Sequence, residues 1–429
     1  MRKLFYLLIL AVAAVSCGNS QENTSGPQVL DIEKGLANRS LVKLSEYASA
    51  INYIPLESSL ECMMCGDEYT RIVKSGDMFY FYSEVGDAPV FCFNSNGKFQ
   101  RFIGTKGKAA NEYRGYVKDF VVNEQTGQML ISDMEGNFLF YDKDGNYMHT
   151  VSLPVNLTGS SFECSIVHNG NSNYYFIGHY DYEHGLEELA MEISKGSDDY
   201  IIHFNSSGEE LGRKNLGTSY RYIERKSAKR MSFQTDPPRL YYTDGLVNIR
   251  KIDTIYRYDA AKDSLLCEYI LNYGKLKEKG EVGKVMLLPK RTGIYLNSDK
   301  FVMFLVMFSR VNFPDMDSKY ARSVFLYDKG SREIRTLDVD PNYGFAWENC
   351  GFGTMPGAPK SGYAGFVNDL DGGAPFVPRY IKDGKMYQIL DAIRFMDLAD
   401  KCKSPAMKKV AASMNEDSNP VLLEVELKK

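Results

Sequence analysis

Two side-chain types that carry much binding and catalysis are scarce in this chain of 429 residues: it has one tryptophan, Trp347, and five histidines. A lone Trp argues against a sugar platform built from several indoles, so ring stacking would fall mainly to tyrosines and Trp347. No HExxH occurs, and no Ser/His/Asp or Cys/His arrangement sits in a recognisable context. His179 and His184, with Asp181 and Glu183 between them, could ligate a metal, but no third ligand can be named and a polar loop is the plainer reading. Asp369-Leu370-Asp371-Gly372 and Asp142-Lys143-Asp144-Gly145 are too short for EF-hand loops. The second reads as a turn; the first is either a turn closing the fold or a site at a channel mouth. With a net charge of −4 and 25% charged residues there is no basic bias, hence no nucleic-acid footprint. No cofactor and no metal is expected.

Of the eight cysteines, Cys17 belongs to a leader, which leaves an odd number. Cys62-Met63-Met64-Cys65 is a CxxC with neither a second pair nor a helix start beside it, so two packing cysteines are expected, with a local disulfide as the alternative. Cys92 and Cys164 lie in apolar strands and read as core.

What the chain does contain is a repeated hairpin plan. Val90-Phe91-Cys92-Phe93 leads through Asn94-Ser95-Asn96-Gly97 into Lys98 to Ile103, and Phe138-Leu139-Phe140-Tyr141 leads through Asp142-Lys143-Asp144-Gly145 into Asn146 to Val151. An aromatic residue closes a strand, Asn or Asp follows, and Gly supplies the left-handed backbone that the turn needs. The plan recurs at Phe204-Asn205, Tyr258-Asp259 and Tyr327-Asp328. In the last two copies Asp263 and Gly330 stand near where the turn Gly would be. In-order strand repeats at this spacing predict an all-β fold, a six-bladed β-propeller, with a β-sandwich as the competing architecture. The sixth blade falls at Lys385 to Leu390, Ala392 to Met414 looks helical, and Val421 to Leu427 ends as a strand with no partner after it. Ile51 to Leu56 is a strand with no blade before it, so the N-terminal strand should complete the last blade and close the ring.

The start of the chain has its own signal. Arg2-Lys3, the apolar run Leu4 to Val15 and the small residues before Cys17 read as a signal peptide with a lipoprotein cleavage box. The expected division is signal peptide 1–16, lipidated tether 17–38 and propeller 39–429. Cys17 would carry the lipid, and several acyl chains anchor stably where one is marginal.

Several segments together resemble a known family. They are Tyr53-Ile54-Pro55-Leu56-Glu57, Ile103-Gly104 through Gly107 to Asn111-Glu112-Tyr113, Asp253-Thr254-Ile255-Tyr256, Asn368-Asp369-Leu370-Asp371-Gly372-Gly373 and Asn419-Pro420-Val421-Leu422. The chain resembles, over about residues 40–429, the six-bladed, NHL-like β-propeller lipoproteins of gut Gram-negative bacteria, formerly filed as domains of unknown function. The family usually shows Gly-Pro-Gly-Glu where this chain has Ala109-Ala110-Asn111-Glu112. The resemblance implies the fold and an envelope location, and no catalytic residue.

In four-stranded blades the tight hairpins above lie on one face. The opposite face receives the links between blades, here long: Thr105 to Tyr116, Gly217 to Met231, Tyr273 to Pro289 and Asp340 to Tyr363. Long loops on a rigid scaffold concentrate function. The expected ligand-binding residues are therefore Tyr113 and Arg114, the basic aromatic run with Tyr220, Arg221 and Arg225, and Trp347 with Glu348. Arg forks and ring stacking would suit an anionic or polar ligand; a solvated charged loop is the bland alternative. The function expected is a non-enzymatic, outer-membrane-anchored lipoprotein, periplasmic or surface-facing, that binds a glycan, peptide or envelope protein and no nucleic acid. The alternative is an envelope hydrolase or lyase with carboxylates or a metal at the channel mouth. The 55 acidic residues are too many for sequence to choose among.

Overall fold

The computed structural model describes residues 26–66, 70–83, 86–152, 165–168, 173–179, 197–219, 229–232, 234–235, 240–244, 253–259, 262–274, 296–307, 322–343 and 365–429. The described strands form six sheets in an all-β, propeller-like arrangement, with three α-helices among the described residues. The chain opens with β1 (Gln28–Asp31), α1 (Ile32–Ala37), β2 (Arg39–Ser40) and β3 (Ala48–Pro55). The first sheet follows in simple sequential order: β4 (Thr70–Ser75), β5 (Met78–Ser83), β6 (Val90–Asn94) and β7 (Phe99–Ile103). The second sheet (117–152) and the third (165–219) repeat that meander. In the fourth, Ser264–Asn272 receives β1 as a fifth, parallel strand. In the fifth, Glu333–Leu337 receives β2 in parallel, and Gln234–Thr235 adds in parallel at the opposite edge.

The sixth sheet joins the two ends of the chain. Its order is Tyr380–Lys382, Lys385–Leu390, Val421–Leu427 and β3, and β3 pairs antiparallel with Val421–Leu427 from Pro55 opposite Val421 to Ala48 opposite Leu427. The strand expected at 51–56 thus begins three residues earlier and stands at the outer edge of this sheet, as the orphan-edge argument requires. Two expectations need correction. The segment 26–38 is not tether: Leu30 and Ile32 are fully buried, and α1 packs so closely that a Cβ on Gly35 would lie 2.9 Å from Ile334 and Phe325. The helical stretch at the C-terminus is two helices, α2 (Ala392–Lys401) and α3 (Pro405–Ala411). Ser404 breaks it by capping α3, its hydroxyl accepting from the Met407 N–H at 3.0 Å, with Pro405 pre-set for the first turn.

The core lies between sheets, because the middle strands of a sheet, such as β5 and β6, bury both faces. In β5, Phe79 and Phe81 point to the sixth sheet and Tyr80 and Tyr82 to the second. Phe79 meets Tyr387 edge-on at 5.4 Å, and Tyr80 meets Phe120 at 5.1 Å. The period of two that a half-buried strand shows as apolar/polar becomes, here, two aromatic faces serving two neighbours. The fifth sheet does the same, with Val302, Phe304 and Phe325 toward the fourth and Met303, Val324 and Leu326 toward the sixth.

The repeated Asn or Asp explains the hairpins. Asn94 Oδ1 accepts the N–H groups of Asn96 and Lys98, both at 3.0 Å; Asp142 does so from Asp144 and Asn146, both at 2.9 Å; Asn205 does so from Ser207 and Glu209. The side chain therefore satisfies the donors the turn would orphan. Gly97, Gly145 and Gly208 hold φ of 75°, 86° and 81°. Where Gly is missing the left-handed backbone persists, at Asp263 (φ 44°) and at Arg332 (φ 59°). The residue in that role in the fifth copy is thus Arg332 rather than Gly330.

These glycines have a second task. A Cβ on Gly97 would stand 2.3 Å from the Pro55 carbonyl of β3; one on Gly145, 2.8 Å from Ile103 of β7; one on Gly208, 2.1 Å from Val151. Each turn rests on the outer strand of the preceding sheet. At the next junction Lys214 Nζ reaches the Asp263 carbonyl at 2.6 Å. By contrast a Cβ on Gly76 (φ 54°) meets nothing within 4 Å. Gly76→Ala should therefore cost only the left-handed strain, about 1–2 kcal/mol. Gly97→Ala should cost clearly more, about 3 kcal/mol, since the obstacle is backbone. Urea midpoints of the two variants of the soluble domain test the difference; equal losses would refute the docking role.

Candidate functional site

Two faces differ in construction. On the face of the tight hairpins, the described links are the short, self-satisfied turns just given. At its centre, Lys382 lies 2.5 Å from Glu124 and Lys74 lies 3.7 Å from Asp383. Glu124 belongs to the second sheet and Lys382 to the sixth, so the ion pair reaches across the first sheet's inner strand, β4. Lys382 is buried, which keeps this attraction less screened than a pair exposed on both sides.

The opposite face is cross-braced. In the link 104–116, the Glu112 carboxylate accepts from the Ala109 N–H at 2.8 Å, and its side chain fills the space a Cβ on Gly107 would occupy. Ala109-Ala110-Asn111 is thereby held in a loop without the glycines and proline of the related pattern. Tyr113 is fully buried, and its hydroxyl donates to the carbonyls of Asp87 and Ala88 at 3.2 and 3.0 Å. Burial pushes that phenol up to about 12. Tyr113 is thus a post of the core between the first two sheets, not a ring offered to a ligand: four places before the strand Val117–Val122, it packs among apolar residues of both sheets. Arg114 is exposed and pairs with Glu135 at 3.2 Å, while its backbone N–H donates to Asp133. Asp133 also accepts from the N–H groups of Glu135 and Asn137 and from the Asn137 side chain. Burial nonetheless raises its pKa, outweighing those bonds.

A second knot lies where the link 365–379 meets β3 and the two C-terminal helices. Asp371 accepts from the Tyr53 hydroxyl at 3.1 Å, from Asn368 Nδ2 at 2.8 Å, from the Gly373 N–H at 3.0 Å and from the Ser404 hydroxyl at 2.5 Å. Burial, then the Asp371 charge, drives the Tyr53 phenol well above its usual range. Asp369 accepts from the Ser45 N–H and hydroxyl at 2.9 and 2.6 Å. Burial opposes, but these bonds prevail, and its pKa falls below the ordinary carboxylate value. The Asp-Leu-Asp-Gly run is therefore a joint between the chain's two ends. Tyr343, in the link that begins at Asp340, donates to the Gly373 carbonyl at 3.2 Å, and burial pushes it up to about 12.

The CxxC forms no disulfide. Cys62 is buried and Cys65 exposed. The Cys62 thiol donates to the Glu57 carbonyl at 3.1 Å, and Asn419 beside it donates to the carbonyls of Glu57 and Cys62 and accepts from the Met64 N–H. Cys92 is buried, as expected. Tyr220, Arg221, Arg225, Trp347, Glu348, His184, Cys164 and Cys17 lie outside the described residues, so the meeting of the Tyr220–Arg225 and Trp347 loops is not part of this geometry.

Among the described residues, what the link face offers a partner is a rigid frame with Lys106, Lys108 and Arg114 exposed at its surface. Lys106 pairs with Asp87, as Arg114 does with Glu135. Such exposed pairs hold side chains in place weakly and can exchange for an anionic or polar ligand. Among the described residues no three His, Cys, Asp or Glu side chains converge as metal ligands, and no helix is long and apolar enough to cross a membrane. The pair Lys382–Glu124 escaped sequence reasoning, since nothing in either turn shows that the other is near. The partners of Asp371 are equally hidden, although the segment itself stood out.

Asp371→Ala would orphan four donors at once. It should destabilise the domain by about 2–4 kcal/mol. Urea unfolding of the soluble chain measures this. A loss under about 0.5 kcal/mol would show that the knot is ornamental.

Comparison with known proteins agrees with this frame. The family model described as "Domain of unknown function (DUF4934)" matches residues 27–426. Its lower boundary lies just before β1. A search of curated proteins finds no match. Among solved structures, a Bacteroides fragilis protein described as a candidate exported protein is similar at a TM-score of 0.55 and 14% identity, over 89% of this chain and 95% of that one. A member of the duf4221 family from Bacteroides vulgatus aligns over 89% of this chain and 97% of its own, at a TM-score of 0.39 and 9% identity.

Proposed function

We propose that this chain, which belongs to the DUF4934 family, is an envelope lipoprotein whose link face binds a glycan, peptide or protein partner without catalysing a reaction. The observation that carries this is the contrast between the faces. One is closed by minimal turns and an ion pair at its centre; the other carries long links braced by Asp133, Glu112 and Asp371, with basic side chains left at the surface. Rigid loops that keep exposed charge cost little ordering on association.

The scaffold of this reading is a ring of six blades. Six sheets support it, as does the recurrence of one contact. Gly97 docks on β3 of the sixth sheet as Gly145 docks on β7 and Gly208 on Val151, so the junction of the chain ends looks like the others. Inner strands also adjoin in sequence, β4 beside Val117–Val122 and Tyr380–Lys382 beside β4. Deleting 51–56 should then bare the edge of Val421–Leu427 and drive self-association, read by light scattering. A monomeric, folded deletion variant would sink the closure.

Anchoring is assigned to Cys17 and the membrane to the outer one. The similarity to a protein described as exported supports an envelope location in general terms. Cys17→Ser should move the protein from the membrane pellet to the soluble fraction or leave it unprocessed; unchanged membrane fractionation would refute the anchor. For the binding face, the purified soluble domain should be screened against glycans and peptides. Arg225→Ala or Trp347→Ala should then weaken capture about tenfold, with a stability loss near 0.5 kcal/mol or less. Capture unaffected by either change would remove those residues from the site. The alternative, a hydrolase or lyase at the channel mouth, would show itself as turnover in the same screen.

A further inference from the structure

The direction in which the chain enters the fold is set by β1. It runs parallel to Ser264–Asn272, with Gln28 opposite Tyr269 and Asp31 opposite Asn272. Ser264–Asn272 itself starts at the tight turn that holds Asp259 and Asp263. The polypeptide therefore reaches Gln28 from the rim where that turn lies, and leaves Asp31 toward the link side. This entry is fixed. Leu30 and Ile32 are fully buried, and Asp31 caps α1 by accepting from the Lys34 N–H at 2.9 Å. Reversing it would unpair β1 and expose both apolar side chains.

Resting on the reading that Cys17 carries the lipid, we propose that the anchor holds the tight-turn side toward the membrane and presents the link face to the aqueous space. From Cys17 to Gln28 the chain spans at most about 40 Å when fully extended. The tether is short enough to bias which face lies near the bilayer. The central mouth on the membrane side is the one bridged by Lys382 and Glu124. The link face is then the one open to a partner in the aqueous space.

The test uses the full, lipidated chain in phosphatidylethanolamine/phosphatidylglycerol vesicles that carry a headgroup-attached quencher. Cys65, Cys164, Cys267 and Cys350 are changed to Ser, and one dye is placed at Lys262→Cys, beside the tight turn of the fourth sheet, or at Lys108→Cys, in the link 104–116. The Lys262 side chain is 65% exposed, so both positions accept label without repacking. The expected result is at least twofold stronger quenching at position 262 than at 108. Equal quenching, or stronger quenching at 108, overturns the orientation while leaving the anchor intact, provided the protein floats with the vesicles. If the wild-type chain fails to float with them, the anchor reading falls and the orientation with it.

Discussion

The contact on which the rest of this molecule depends is the seating of each tight turn on the outer strand of the sheet before it. The sheets bury both faces, so none can stand alone, and apolar packing between twisted sheets is tolerant of sliding. A glycine pressed against one specific neighbour, the backbone carbonyl of Pro55 or the side chains of Ile103 and Val151, is not. Gly97 against the Pro55 carbonyl, Gly145 against Ile103 and Gly208 against Val151 fix how far each sheet is rotated relative to its neighbour. The left-handed glycine thus does two things at once: it makes the hairpin possible and it leaves room for the next sheet. Where the fourth copy carries Asp263, the missing clearance is replaced by a polar tie from Lys214. The local turn rule and the global arrangement point the same way, which is what a well-specified fold requires.

Much of this was legible in the sequence, because the signals are local. The Asn/Asp–Gly plan predicted the hairpins, whereas the two-sided burial of Phe79 to Tyr82 is read from the structure alone. The strand Ala48–Pro55 was legible by elimination, as an edge that needed a partner. What stayed hidden depends on contacts hundreds of residues apart. Residues 28–38 carry no repeat signal, since β1 and β2 are short parallel additions that borrow their register from finished sheets. Tyr113 illustrates the same limit at the site. Aromatic residues in a long loop invite a functional reading, yet this ring fills the gap between two sheets, and only the carbonyls of Asp87 and Ala88 reveal it.

The segments that carry the family resemblance turn out to be joints. Tyr53 binds Asp371, Glu57 accepts from the Phe99 N–H, Glu112 closes its own loop, and Asn419 ties the start of the last strand to the CxxC segment. Each sits where two sheets, or the two ends of the chain, must be held in register. Residues of this kind record how the scaffold is assembled and say little about what it holds. This is why the resemblance could indicate an architecture without an activity. It also places the search for specificity on exposed residues between the joints, such as Lys108 and Arg114.

The arrangement of those joints bears on how binding could be felt by the fold. The Asp371 knot holds β3, the 365–379 link and the junction of α2 and α3 through one carboxylate. The Asp369 tie to Ser45 lies two residues away and reaches the segment that precedes β3. A load applied to the C-terminal helices is therefore passed to the strand pairing that joins the chain ends. It is not absorbed in a hinge. On the same face, the link 104–116 is braced through Asp133 to a different pair of strands. The two braced regions share no side-chain bond among the described residues. A partner touching both would have to meet them as a preformed surface, gaining affinity from fixed geometry more than from closure around it. Under the proposed binding role this face would act as a docking platform, in contrast to lidded sites, whose loops must move to complete their chemistry.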